Sequence, residues 1–318
     1  MLRWLPLACF AMLSAPAQTQ AYPDRAVRII VPLTPGGSPD ALARILAQGL
    51  QGIWPQPVVV ENRPGGSQNI GADLVAKSAP DGYTWLLAPD NVFSVNPHLG
   101  RPPFDPLADF APVTMVARIQ FLLVVNPAVP AASVQELLAY AKSRPGELNF
   151  GSSGNGSPQH LGGALLQQLS GVKMNHVPYK GAAPAIADLL PGRIQVWIGA
   201  ANSLLPHIRE GRLRLLASTG PQRSANLGDV PTIAEAGVRG YVLDPWLGLF
   251  VPAKVSPEIV ARIHSEAARI LGTPETRARL AAQGIDVSTS EPAEFARFVR
   301  EDHARWGKLI RETGIRGE

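Results

Sequence analysis

Short β-rich apolar runs, each closed by a glycine- or proline-containing loop and followed by a helical pattern, alternate along this chain and limit its fold more than any other feature. Val27-Arg28-Ile29-Ile30-Val31 reads as a strand that stops at Pro32. The loop Thr34-Pro35-Gly36-Gly37-Ser38 leads into a stretch with Leu42, Ile45, Leu46 and Leu50 on one helical face. Val58-Val59-Val60 is a second strand, followed by the loop Asn62-Arg63-Pro64-Gly65-Gly66-Ser67 and a short helix near Gly71 to Lys77. Tyr83 to Leu87 is a third strand. This βαβαβ order predicts a parallel sheet covered by helices.

The pattern restarts after a proline-rich stretch, Pro97 to Pro112. Leu122–Val125, Leu148–Phe150, Met174–Val177, Ile194–Ile198 and Leu213–Ala217 read as strands separated by helices or turns. Ser133 and Glu136 form a capping box for a helix to Lys142, and Pro158 opens another from its first position. A last apolar strand, Trp246 to Val251, precedes a helical tail marked by Ile259, Ile263 and Ile270 and then by Phe295, Phe298, Val299, Trp306, Leu309 and Ile310. The expected architecture is α/β with two lobes, each a sheet flanked by helices. Residues 22–124 and 246–318 form one lobe and 125–245 the other. The strands near Val125 and Leu249 carry two crossings between them, and two crossings make a hinge.

The N-terminus reads as an export signal. Arg3 supplies a positive start, Trp4 to Leu13 is apolar apart from Pro6, and cleavage is expected near Ala17 or Ala21. That apolar run is well short of the roughly 20 residues of a bilayer span. The only cysteine, Cys9, lies inside this segment, so the mature chain has no thiol for disulfides, zinc or nucleophilic catalysis. The released protein is expected in the periplasm, soluble and monomeric. At 46% hydrophobic and 17% charged residues it can bury two substantial cores. Its net charge of +4 falls to +3 (4 − 1) once Arg3 is removed. The basic residues are scattered, which argues against nucleic acid, and the mild positive field suits a small anion.

Open parallel sheets place ligands beyond the carboxyl ends of their strands, at helix N-termini. Pro35-Gly36-Gly37-Ser38 and Gly151-Ser152-Ser153-Gly154-Asn155-Gly156-Ser157 both lie there. Backbone N–H groups at a helix start are unpaired and partly positive, glycine lets a ligand approach the main chain, and serine adds hydroxyl donors. The same residues also serve tight turns, but one such loop in each half points to capture of an anion. Asp90 and Asn91, after the third strand, either touch a ligand amine or hydroxyl or form a turn after Pro89. Trp246, in the hinge strand, reads as core packing ahead of a ligand platform.

Rival chemistries fail on spacing. Gln159 stands where a dinucleotide fingerprint needs glycine, no phosphate loop is present, and the Ser153 region lacks the G-x-S-x-G elbow. An exported hydrolase would have to pair Ser153 or Ser157 with His160. His98, His160, His176, His207, His264 and His303 match no zinc spacing, so neither metal nor cofactor is expected.

These stretches together resemble the Bug family, the receptor component of tripartite tricarboxylate transporters. The resemblance rests on Tyr22-Pro23, Val31-Pro32 with Pro35-Gly36-Gly37 and Asp40, Val58 to Gly65, Ala79-Pro80-Asp81-Gly82-Tyr83-Thr84, Gly151 to Ser157, His176-Val177-Pro178-Tyr179-Lys180-Gly181, Asp229-Val230-Pro231-Thr232 and Trp246 to Phe250. It covers essentially the whole mature chain. The resemblance implies a type II periplasmic-binding-protein fold. It also implies a small carboxylate held by backbone amides, hydroxyls and bridging water from both lobes, without an arginine clamp. His160, Asn69, Tyr179, Gly181, Ala182 and Ala200 complete the expected ligand contacts. The partners it implies are the two membrane subunits of such a transporter, with ligand sensing as the variant where those are lacking. Three departures stand out. Ile198-Gly199 is not followed by the aromatic–aspartate pair many relatives carry. Asp90 replaces a small hydroxyl residue or glycine, and Asp244 precedes Pro245-Trp246 where small polar residues are common. Added carboxylates would repel a second acid group on the ligand or attract an amine.

Overall fold

The structure, a computed structural model, describes residues 22–224 and 227–316. The expected export signal and Cys9 lie outside the described residues. No helix among the described residues is long and apolar enough to cross a membrane.

Two sheets are present. The first begins with β1 (Val27–Val31), α1 (Ser38–Gln51), β2 (Val58–Asn62), α2 (Asn69–Ala76), β3 (Thr84–Pro89), the short helices α3 (Asn91–Ser94) and α4 (Asn96–Leu99), and β4 (Phe110–Ile119). The second contains β5 (Phe121–Val125), α5 (Val134–Ser143), β6 (Asn149–Ser152), α6 (Pro158–Ser170), β7 (Asn175–Pro178), α7 (Ala182–Leu189), β8 (Val196–Ala200), α8 (Ala201–Arg209) and β9 (Arg214–Ser218). The chain then returns to the first sheet through β10 (Trp246–Pro252), α9 (Pro257–Leu271), α10 (Pro274–Ala281), β11 (Ile285–Val287) and α11 (Pro292–Thr313). Strand orders are β11-β4-β10-β3-β1-β2 and β7-β6-β8-β5-β9.

The expected parallel pairing holds for β1 with β2 and β3, and for β6 with β7 and β8. The sheets as wholes are mixed. β10 runs antiparallel to β3 and β4, and β5 runs antiparallel to β8 and β9. Each of these strands enters its sheet directly from the other lobe rather than through a crossover helix, so it arrives running the opposite way.

The first crossing also falls earlier than the expected 124/125 boundary. All of β5 pairs within the second sheet, so the chain changes lobes between Ile119 and Phe121. The return falls at Pro245-Trp246. The two crossings lie side by side: the Ile119 N–H donates to the Pro245 carbonyl at 2.7 Å, and the Thr219 hydroxyl donates to the Leu243 carbonyl at 2.6 Å. Arg118 and Asp244 pair across them.

Several elements went unforeseen, among them β4, β11 and the short helices α3, α4 and α10. β4 lies partly in the proline-rich stretch, with Pro112 opposite Phe250 beside a register shift. β11 pairs only with Ala117–Ile119, so Pro112 occupies a part of β4 with one side open, where a missing N–H is tolerated. The three residues of β11 and the short α3 and α4 are too brief to show a period. The Ser133 capping box forms with a variation: Ser133 Oγ accepts from the Glu136 N–H, while Glu136 accepts from the Ala132 N–H.

The last helix joins both lobes, unlike the expected assignment of 246–318 to one. Phe295 and Val299 pack with Phe93, Trp246 and Phe250 in the first lobe, whereas Trp306, Leu309 and Ile310 belong to the core around Val125, Phe150 and Ile198 in the second. Helical spacing puts all five on one buried stripe long enough to span the lobes.

Trp306 is 3% exposed, so Trp306→Ala should lower unfolding stability by roughly 3–5 kcal/mol. The solvent-facing Arg297→Ala on the same helix should change it by under about 0.5 kcal/mol. Urea melts of the two variants make the comparison.

Candidate functional site

A cleft of about 760 Å³ opens between the lobes above the hinge. Ile119, Phe121, Pro245, Trp246 and Leu247 from the crossings line its base. Trp246 is core as well as wall: it is buried, packs edge-on against Phe295, and donates its indole N–H to Asp302 at 3.0 Å.

The candidate residues divide. Ser38, Asn69, Asp90, Asn91, Ser153, Gly154, Asn155, Gly156, Ser157 and Tyr179 line the cleft. Pro35, Gly36, Gly37, His160, Gly181, Ala182 and Ala200 do not. The reason in the first loop is local. The Gly36 N–H donates to Asp40 Oδ2 at 3.0 Å, and Arg44 holds the same oxygen. The loop is thereby folded onto its own helix, and of the connection between β1 and α1 it is Leu33, with Ser38 and Pro39 at the start of α1, that lines the cleft. Gly37 has an ordinary extended backbone as the N-cap. Gly36, at φ +94°, is the residue of this loop whose conformation calls for glycine.

The second loop is stitched to itself as well. The Gly154 N–H donates to Ser152 Oγ at 3.2 Å, the Ser157 N–H to the Gly154 carbonyl at 3.2 Å, and the Gly156 N–H to His160 Nδ1 at 3.1 Å. Ser157 Oγ caps α6 by accepting from the His160 N–H. Among the described residues the backbone N–H groups of Ser153 and Asn155 have no such partner. Those two amides and the Asn155 side chain are the donors this loop leaves open, with the positive end of α6 behind them. Gly156, at φ +72°, also passes so close to Leu99 of α4 that a Cβ would collide with it, so its glycine serves contact between lobes.

The Ser–His pairs a hydrolase would need do not form. Ser153 Oγ donates to Gln159 Oε1 at 2.8 Å, and Ser157 meets only the backbone of His160. The contact present is Ser152 Oγ to His176 Nε2 at 2.6 Å. His160 stacks on His176 with ring centres 3.8 Å apart and supports the loop from beneath. Tyr179 spends its hydroxyl on Asp188.

Sequence reasoning missed several wall residues. Lys180 is the one cation among the described lining residues, exposed at the rim; it sits in a recognisable segment but carries no spacing signal. Ser67 and Gln68 hold left-handed backbone at φ 51° and 77°, a strained turn that glycines at 65 and 66 lead into. Gln68 Oε1 and Asn69 Oδ1 are buried acceptors with no donor. Asp244 is not part of the cleft wall. It lines a separate hollow of about 330 Å³ with Arg118 and Asp286, where Arg118 neutralises it.

Residues 42–315 match the family model described as the tripartite tricarboxylate transporter family receptor. The chain is 38% identical over 311 residues to protein BugT of Bordetella pertussis, covering 96% of this chain and 94% of that one. The solved structure of R. palustris Rpa4515 with adipate superposes with a TM-score of 0.81 at 37% identity, over 93% of this chain and 100% of that one. MatC from Rhodopseudomonas palustris with bound malate superposes with a TM-score of 0.75 at 29% identity, over 91% of this chain and 100% of that one.

The histidine pair supplies a pH test. Burial, and secondarily the charge of His176, bring the His160 imidazole down to about 4. A histidine depressed on folding stabilises the folded form above its unfolded value near 6.5, and that contribution is lost as pH falls toward 4. Melting temperature should therefore decline across this window. His160→Gln, which stops one of the two rings titrating, should flatten the decline.

Proposed function

The chain belongs to the tripartite tricarboxylate transporter receptor family, and from that premise we propose that it captures a small organic carboxylate between its lobes in the periplasm and delivers it to the two membrane subunits of such a transporter. Export would follow removal of the N-terminal segment at Ala17 or Ala21. The working unit is a monomer, since each chain carries both walls of the cleft. No chemistry on the ligand is required of it.

The observation that carries the reading is the cleft wall of the second lobe. The unengaged N–H groups of Ser153 and Asn155 and the Asn155 amide offer several neutral donors with the positive end of α6 behind them. Lys180 adds charge at the rim. Ser38 and Asn69 face them from the first lobe, so a ligand touching both walls favours a closed form. Adipate and malate in the superposed relatives belong to the ligand class this arrangement suits.

Native mass spectrometry of freshly purified protein, followed by calorimetry with a panel of mono- and dicarboxylates, tests the assignment. At least one acid should bind and reduce the radius of gyration in small-angle scattering. An unchanged radius at saturation contradicts closure, and no binding by any acid contradicts the function. Lys180→Ala should weaken binding by no more than about tenfold, equivalent to ~1.4 kcal/mol, because neutral donors hold most of the charge. Complete loss would instead make Lys180 the anchor.

A further inference from the structure

The charges behind the cleft do not balance, and the imbalance falls on Asp90. Three carboxylates cluster at the hinge end of the first lobe: Asp90, Asp244 and Asp302. Two guanidinium groups serve them. Arg305 pairs with Asp302 at 2.6 Å, and Asp302 also accepts from the Trp246 indole. Arg118 pairs with Asp244. Asp90 is left without an ion pair among the described residues. It is only 5% exposed, at the end of β3, and it lines the cleft. Its Oδ1 accepts from the Asn91 N–H at 2.9 Å, while Oδ2 accepts from no protein donor among the described residues. A buried carboxylate in that position lacks a counter-charge.

The same wall has other unmet acceptors. Gln68 Oε1 and Asn69 Oδ1 are buried without donors, and both residues line the cleft with Asp90. The amides can turn to present either end, but an ionised aspartate is an acceptor alone. The second lobe offers the opposite chemistry, with its free donors at Ser153 and Asn155. The cleft is therefore polarised from wall to wall.

We propose that Asp90 makes the first-lobe wall an ammonium subsite, so that the preferred ligand is an amino-carboxylate with its acid group against the second lobe and its amine against Asp90. This rests on the carboxylate-binding reading above and names the ligand class for it. An ammonium brings three N–H donors and the missing positive charge to a wall of acceptors. A second ligand carboxylate at that place would meet a like charge whenever Asp90 is ionised. Burial, then the charge of Asp302, holds the Asp90 carboxyl well above the usual range, with Arg305 opposing and Asp244 adding. Burial thus favours the neutral form in the empty cleft, a bound ammonium favours the ionised form, and protonation at acid pH removes the attraction for an amine.

Calorimetry on matched pairs tests this: glutamate with glutarate, aspartate with succinate, β-alanine with propionate and γ-aminobutyrate with butyrate. In the pair that binds best at pH 8, the amine-bearing member should bind at least tenfold more tightly, and its advantage should shrink at pH 5. Asp90→Asn keeps the shape and the acceptor for the Asn91 N–H. It should weaken the amine-bearing member at least tenfold and the amine-free member far less, with folding checked by circular dichroism. The inference is overturned, and carboxylate capture stands, if amine-free acids bind as well or better, or if the variant weakens both members equally. If no member of any pair and no other carboxylate binds the unaltered protein, the function itself fails and the subsite with it.

Discussion

Everything in this molecule is arranged around two chain crossings that run side by side. The Ile119 N–H to Pro245 carbonyl bond, the Arg118–Asp244 pair and the Thr219–Leu243 contact tie the segments that link the sheets. Because β5 and β10 each begin at a crossing and continue as interior strands, a change of angle between the lobes is confined to a few residues at 118–121 and 243–246. The cleft stands directly on that line, so whatever bridges its walls acts on the hinge. α11 crosses the same boundary with aromatic anchors in both cores and limits how far the lobes can part.

The chemistry of the cleft comes from what the loops leave over after holding themselves together. Glycine-rich loops at strand ends invite the assumption that every backbone N–H faces the ligand. Here Gly36 is held by Asp40, Gly154 by Ser152 and Gly156 by His160. These internal bonds preorganise the loops, so that the amides of Ser153 and Asn155 are presented without further ordering. The opposite wall is rich in acceptors because its cations are already committed to neighbouring carboxylates. A site with donors on one side and acceptors on the other selects ligands by the order of their polar groups.

Much of this was legible in the residues. Strands such as Val27–Val31 and Trp246–Pro252 announce themselves as apolar runs with sharp ends, and α1 and α11 by their helical stripes. β4 escaped because Pro112 disguises a buried strand, and its tolerance depends on which side β11 covers. The mixed direction of the sheets also escaped, since strand direction follows from which lobe a crossing leaves. At the site, the position of both glycine loops was readable from strand–loop–helix order. Which amides remain free was not. That depends on side chains such as Asp40 and His160, which fold back from the following helix. Asp90 was visible as an odd carboxylate, but its lack of a counter-ion depends on Arg305 and Arg118 being spent elsewhere, a matter of tertiary packing.

The central claim is that a carboxylate is gripped in the cleft by specific uncommitted amides. Backbone amide chemical shifts of isotopically labelled protein, followed during titration with a carboxylate that binds, test it most directly. The account predicts the largest downfield amide-proton shifts at Ser153 and Asn155, with small changes at Gly36, whose N–H is already bonded to Asp40 away from the cleft. Large shifts at Gly36 with Ser153 and Asn155 unmoved would contradict it.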